Sequence, residues 1–206
     1  MTKLRCCGYA LLIVASCFVF GQDPVPGYYT FLPNQQIRVP ELPSLKARSD
    51  DLSDVLLASL DTIFHDPSIC CGKNSALEDA AASVEPLSLK EIGSKLQGRH
   101  LLSDGRPILV TADFMPASSA DASYRMISAL MENHALLLVW KSHLYVLDGA
   151  DFDETLYSDG TRMNVIHKLR LLDTRFSDTR REVVFNRDSD DWGKVQGTLL
   201  LTFAPQ

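Results

Sequence analysis

The sequence predicts one α+β domain in which a helix packs on a mostly antiparallel β-sheet. Its length of 206 residues, with 46% hydrophobic and 22% charged residues, suits one domain of ordinary size. Apolar residues recur at helical spacing in the first half, as in residues 52–63. Apolar and β-branched runs that include a hairpin, residues 134–149, dominate the second half. We therefore expect this domain to span residues 49–206.

The N-terminus has the features of a secretory signal peptide. Lys3 and Arg5 precede an apolar run over residues 10–20, and small residues follow near position 21. The run is shorter than the roughly 20 residues that span a bilayer. We therefore predict a signal peptide over residues 1–21 and export to the periplasm or the medium. A bacterial lipoprotein is the second hypothesis, because Val-Ala-Ser-Cys resembles a lipoprotein processing box that ends at Cys17.

The charge of the chain limits the classes of partner that we expect. The net charge is -6 at pH 7, whereas proteins that bind the nucleic-acid backbone present a basic face. Four arginines between residues 175 and 187 are interleaved with acidic residues, which indicates a solvated, salt-bridged surface. We therefore expect no nucleic-acid partner, and membrane association only if Cys17 carries a lipid.

The helices follow from caps and periodicity. Residues 22–48 contain five prolines and little periodicity, which is typical of an extended arm. Small helix formers fill residues 74–84, just after two adjacent cysteines, and Ser88 with Glu91 forms a capping box. The predicted helices are residues 52–63, 74–84, 88–96 and 121–132.

The strands follow from β-branched and apolar runs. Residues 134–149 are apolar on both faces around a short polar turn, so this hairpin is expected inside a sheet that is covered on both sides. The other predicted strands are residues 106–112, 163–172, 182–186 and 198–203.

Cys70 and Cys71 are the residues whose thiols could act as a nucleophile. If the leader is removed, these are the two cysteines left of five, which excludes a disulfide scaffold. A thiol in the first turn of a helix is stabilised as thiolate by the helix dipole and free N–H groups. Gly72 allows a substrate to approach Cys71, so Cys71 is the candidate nucleophile and Cys70 a packing neighbour.

A histidine and an acid complete a candidate catalytic set. The imidazole of His134 would move the proton, and Asp148 would fix the imidazole tautomer. Because side chains alternate along strands, these two share a face only if the hairpin turn has an odd number of residues. A turn formed by residues 141–143 meets that condition, whereas a two-residue turn would make Asp151 the candidate acid.

These residues resemble the papain-like cysteine peptidase superfamily. Cys-Gly at the start of a helix, His-Ala-Leu-Leu-Leu-Val in a strand and an acid at the end of the next strand are similar to bacterial double-glycine-leader peptidases and phytochelatin synthases. The likeness covers about residues 64–151. It implies a papain-like fold with Cys71 as nucleophile, His134 as general base and Asp148 as orienting residue. The family's oxyanion-hole Gln falls on His65, which is a departure, and His65 becomes the candidate oxyanion donor.

Two functions follow as hypotheses. The first is an exported thiol hydrolase that cleaves a peptide or amide bond, or transfers the acyl group, without a cofactor or metal. The second is a catalytically inactive exported binding or structural module in which Cys70 and Cys71 form a vicinal disulfide or bind a soft metal.

Overall fold

The computed structural model describes residues 28–40, 42–43, 45–63, 88–101, 105–176, 179–185 and 191–205. Within these ranges the chain has three α-helices and one open sheet of eight strands in which every pairing is antiparallel. The expected α+β class with an antiparallel sheet is confirmed. The predicted leader, residues 1–21, and the predicted helix over residues 74–84 lie outside the described residues.

The helices are α1 (Leu52–Ile63), α2 (Leu89–Leu96) and α3 (Ala122–Met131), with a short 3₁₀ helix at Trp192–Lys194. The strands are β1 (Tyr29–Arg38), β2 (Gly98–Leu101), β3 (Pro107–Pro116), β4 (Leu136–Trp140), β5 (His143–Tyr157), β6 (Arg162–Leu172), β7 (Arg180–Val184) and β8 (Val195–Pro205). The Ser88 half of the predicted capping box is confirmed, because the Ser88 hydroxyl accepts a hydrogen bond from the Glu91 N–H at 3.3 Å. No helix in the described part of the chain is long and apolar enough to cross a membrane.

Helices cover the sheet on opposite sides. The strand order is β2-β3-β8-β4-β5-β6-β7, with β1 paired to β5. On β3, Ala112 lines the junction with α2, whereas the next residue, Asp113, forms an ion pair with Arg125 of α3. Because successive side chains of a strand point to opposite faces, α2 and α3 lie on opposite faces. The expectation that the hairpin is covered on both sides is confirmed, since Leu136, Leu137, Leu138 and Val139 are all fully buried.

Part of the segment predicted as a proline-rich arm belongs to the sheet. Residues 29–38 are extended as expected, but they form strand β1, which pairs with the second half of β5. The register shifts between Leu32 and Gln35, where Pro33 lacks a ladder donor and Asn34 has φ of 55°. The Asn34 N–H instead donates to Asp153 Oδ1 at 2.8 Å. Most of the apolar side chains of β1 are exposed, and the pairing with β5 joins residues more than 100 positions apart, so no local pattern predicts this strand.

The hairpin turn is the shorter of the two alternatives. Trp140 pairs directly with His143, so the turn consists of Lys141 and Ser142 alone. Their φ angles are 49° and 61°, the left-handed pair of a type I′ turn. Of the two turn lengths that the sequence leaves open, the structure has the two-residue one, for which strict alternation puts Asp148 on the other face from His134 and makes Asp151 the candidate acid. The short turn changes the relation between His134 and Asp148.

Candidate functional site

The structure places two of the four predicted site residues. Cys71 and His65 lie outside the described residues, as do Cys70 and Cys17. His134 and Asp148 are both described and lie near the beginning of β4 and in the first half of β5. The geometry of the candidate site therefore starts from this pair.

His134 is held by the end of helix α3. Asn133 takes the left-handed conformation, with φ of 62°, that commonly ends a helix. The His134 N–H then donates to the Ala129 carbonyl at 2.9 Å, two residues before β4 begins. The His134 side chain is 41% exposed, and its Nε2 lies 3.9 Å from Glu132 Oε2. The His134 backbone is therefore fixed while its side chain is accessible to solvent.

Asp148 occupies a β-bulge. Leu147 pairs with Leu171 of β6 and Gly149 pairs with Arg170, so Asp148 is an extra residue between two paired positions. Its backbone carbonyl accepts a hydrogen bond from the Val39 N–H at 2.8 Å. Bulges are enriched beside active sites, where they redirect a side chain that strict alternation would send elsewhere.

The Asp148 carboxyl is buried beside an arginine. Its side chain is 1% exposed, and Oδ2 lies 3.2 Å from Nη1 of Arg180 on β7. Neither carboxyl oxygen has a hydrogen-bond partner of acceptable geometry among the described residues, so this contact is an ion pair without an aligned hydrogen bond. Burial raises the pKa of Asp148 to about 6, while the charges of Arg38 and Arg170 oppose that rise.

The strand register puts Asp148 opposite the residue that follows His134, and not opposite His134 itself. Leu136 pairs with Leu147, so the next positions outward are Ala135 and Asp148. Asp148 is therefore opposite the immediate neighbour of His134. Strict alternation would put the two side chains on opposite faces, but His134 precedes the strand and Asp148 lies in a bulge. Their ion-pair partners in the described structure are Glu132 and Arg180, respectively, and not each other.

Asp151, the alternative acid, is engaged elsewhere. Its Oδ1 accepts a hydrogen bond from Arg170 Nη2 at 2.9 Å, and its Oδ2 lies 3.5 Å from Lys168 Nζ. In the ladder it pairs with Gln36 of β1 and Lys168 of β6, further along β5 from the hairpin. Two cations already neutralise this carboxylate. Like Asp148, Asp151 has no ion pair with His134 in the described structure.

No protein-family model matches this sequence, and no curated protein matches it significantly. The similarity to papain-like peptidases thus rests on the short motifs around Cys71, His134 and Asp148. The α+β class and the antiparallel sheet are compatible with that resemblance, and its finer features belong to the proposal below.

A second buried acid was missed by sequence reasoning. Asp173 is fully buried and accepts hydrogen bonds from Arg175 Nε at 2.8 Å and Nη2 at 2.7 Å. Arg181 Nε lies 3.2 Å from the same carboxylate. The prediction of salt bridges among these arginines is confirmed, but a fully solvated surface is wrong. The spacing of Asp173 and Arg175 in a turn could have predicted this pair. An Asp-x-Arg spacing allows one guanidinium to bind the carboxylate through two nitrogens.

The described part of the chain contains no group of three or more His, Cys, Asp or Glu residues arranged to hold a metal ion. Cys70 and Cys71 lie outside that part, so the soft-metal hypothesis stays a prediction.

Proposed function

We propose that this protein is an exported thiol hydrolase that cleaves a peptide or amide bond. The observation that supports this best is the placement of Asp148 at a bulge opposite the neighbour of the accessible His134. In this proposal Cys71 is the nucleophile, His134 the acid and base, Asp148 the orienting residue and His65 a donor to the oxyanion.

The reaction has two steps. The Cys71 thiolate attacks the carbonyl carbon, the C–N bond breaks, and His134 gives a proton to the departing amine. Water then attacks the thioester, with His134 taking its proton, and the carboxylic acid leaves. An amine in place of water would give acyl transfer by the same route. Asp148 contributes by holding one imidazole tautomer and stabilising the imidazolium.

The exposure of His134 distinguishes it from a core histidine. A histidine that fills a core would be buried, whereas the His134 side chain is 41% exposed beside a fixed backbone. The other candidate is an inactive binding module. Its support is the ion pair of Asp148 with Arg180 instead of with His134.

Alkylation of the cysteines tests the proposal directly. Iodoacetamide rates at Cys70 and Cys71, resolved by mass spectrometry between pH 4 and 9, should show that Cys71 reacts with an apparent pKa well below about 8.5. His134→Ala should remove that low-pH reactivity, because the thiolate loses its imidazolium partner. His143→Ala is the matched control, since His143 is exposed at the hairpin turn and its Nδ1 contacts the Lys141 carbonyl.

Two results would contradict the proposal. One is equal, ordinary reactivity of both thiols that His134→Ala leaves unchanged. The other is a Cys70–Cys71 pair that resists iodoacetamide until a reductant is added, which supports the inactive module with a vicinal disulfide.

A further inference from the structure

We propose that residues 28–32, which form the first half of β1, are the surface through which two copies of this chain form a dimer. The two β1 strands pair edge to edge and antiparallel, so that the sheet continues from one copy into the other. Thr30 faces Thr30 of the second copy at the two-fold axis. The proposal is independent of the catalytic hypothesis, because no candidate catalytic residue lies in this segment.

One edge of β1 is open. Within the described residues, β1 pairs with β5 on one side and with no strand on the other. A free strand edge presents unpaired backbone N–H and C=O groups that another strand can bind. The ladder breaks after Leu32, where Pro33 lacks an N–H and Asn34 has φ of 55°. The regular part of the open edge therefore consists of the residues that precede Pro33.

Exposed apolar side chains are concentrated in this segment. The exposed fractions are 89% for Tyr28, 65% for Tyr29, 52% for Phe31 and 37% for Leu32. Single exposed apolar residues are ordinary, whereas a contiguous exposed patch is typical of an interaction site. The patch continues across the sheet, because Phe31 pairs with Thr155, and Thr155 pairs with Met163, which is 48% exposed.

The two end strands of the described sheet carry charges, and this part of β1 does not. Arg99 lies in β2, and residues 180–182 of β7 are Arg, Arg and Glu. Charged side chains on an edge strand oppose pairing with another edge. Residues 28–36 contain no charged side chain. This edge of β1 can therefore meet a copy of itself without electrostatic repulsion.

The order of the side chains favours a second copy over an unrelated strand. Residues directly opposite each other in an antiparallel pair point to the same face, so two copies related by a two-fold axis pair residues whose numbers have an even sum. Pairing about Thr30 puts Tyr29 opposite Phe31 of the second copy and Tyr28 opposite Leu32. Each apolar side chain of the segment then has an apolar partner, and Thr30 has Thr30. Aromatic pairs and threonine pairs across strands stabilise antiparallel sheets.

A charge exchange at Thr30 tests both the interface and its register. The unmutated protein should change from monomer to dimer with rising concentration in sedimentation equilibrium. Thr30→Lys and Thr30→Glu should each weaken the dimer about tenfold, because like charges then face each other. An equal mixture of the two variants should regain a dimer that contains one copy of each, which native mass spectrometry identifies.

Two variants serve as controls. Thr30→Gln lengthens the same side chain without a charge and should keep more of the dimer than Thr30→Lys. Leu101→Lys adds the same charge at a side chain that is 64% exposed on β2, and it should leave the dimer unchanged. Circular dichroism establishes that each variant is folded. If a Thr30 variant does not fold, Tyr28→Lys decides by the same comparison with Leu101→Lys.

Three results would overturn the proposal. The first is a protein that remains a monomer up to about 1 mM, where even weak specific association is populated. The second is a dimer that Thr30→Lys weakens no more than Leu101→Lys does, because the contact then lies elsewhere. The third is a pair of monomeric Thr30 variants that do not combine when mixed, because Thr30 then does not face its own copy. None of these results bears on the reactivity of Cys71, so the thiol hydrolase is tested separately.

Discussion

At the scale of single residues, two buried aspartates differ in how well nearby arginines compensate the carboxylate charge. Asp173 accepts hydrogen bonds from two nitrogens of Arg175, and Arg181 adds a second positive charge. Asp148 has one ion pair and no aligned hydrogen bond in the described structure, and burial raises its pKa to about 6. A carboxylate in the second situation destabilises the fold when it is ionised.

Asp148→Asn should therefore stabilise the protein at neutral pH. The folded pKa lies above the ordinary 3.8, so the contribution of Asp148 to stability is fully present below about pH 4 and is lost as pH rises through about 6. The variant should exceed the unmutated protein in unfolding free energy by about 1–3 kcal/mol at pH 7.5, with the gap shrinking toward pH 4. Urea unfolding at a series of pH values measures this.

Asp173→Asn serves as the contrasting variant. It should lose about 3–5 kcal/mol at pH 7.5, because Arg175 and Arg181 are left without their buried counter-charge. An Asp148→Asn protein that is less stable than the unmutated one at pH 7.5 would contradict the interpretation of Asp148.

At the scale of elements, the two-residue β4–β5 turn fixes the register in which Leu136 pairs with Leu147. The two turn residues, Lys141 and Ser142, both have positive φ, which costs L-residues with a Cβ roughly 1–2 kcal/mol each. The Trp140 and Tyr145 rings lie with their centroids 6.2 Å apart and their planes tilted by 52°, and Lys141 Nζ lies 4.1 Å from the centroid of the Trp140 ring. These side-chain contacts help to offset the strain of the turn.

Ser142→Gly should relieve part of that strain. Glycine reaches φ of 61° without a Cβ clash, so the unfolding free energy should rise by about 0.5–1 kcal/mol. Thermal unfolding with calorimetry is a suitable measurement. Ser158→Gly, at an exposed turn position without positive φ, should be neutral or destabilising. Equal effects of the two substitutions would rule out strain at Ser142.

At the scale of the whole molecule, β4 and the neighbouring strands form the centre of the fold. Leu137 is fully buried and pairs with Val146 of β5 and Leu199 of β8. Packing of this kind joins helices and strands from both halves of the chain in one core. A single hydrophobic core of this type is expected to unfold as one cooperative unit.

Leu137→Ala should destabilise the whole domain by about 2–5 kcal/mol, because it leaves a cavity at the centre of the sheet. Denaturant unfolding should show one transition at a lower midpoint with both fluorescence and circular dichroism. Leu101→Ala, in the edge strand β2 with 64% exposure, should change the unfolding free energy by less than about 0.5 kcal/mol. Two separate transitions in Leu137→Ala would contradict a single cooperative core.

Local signals explain which elements were predictable. The helix after Ser88, the helix over residues 122–131 and the buried hairpin carry caps or apolar periodicity of their own, and the structure confirms them. Strand β2 was missed because four residues that include Arg99 and His100 have no apolar alternation. Strand β1 was predicted as an arm, since its pairing with β5 is a long-range contact that no local window contains.

The sequence by itself determined the α+β class, the buried hairpin and the choice of Cys71, His134 and Asp148 as candidates, because these depend on residue types and local periodicity. Only the tertiary structure decided that the turn has two residues, that a bulge carries Asp148, and that Arg180 of β7 lies against its carboxylate. Register, bulges and ion pairs between distant strands arise from packing over the whole sheet, so no single stretch of sequence encodes them.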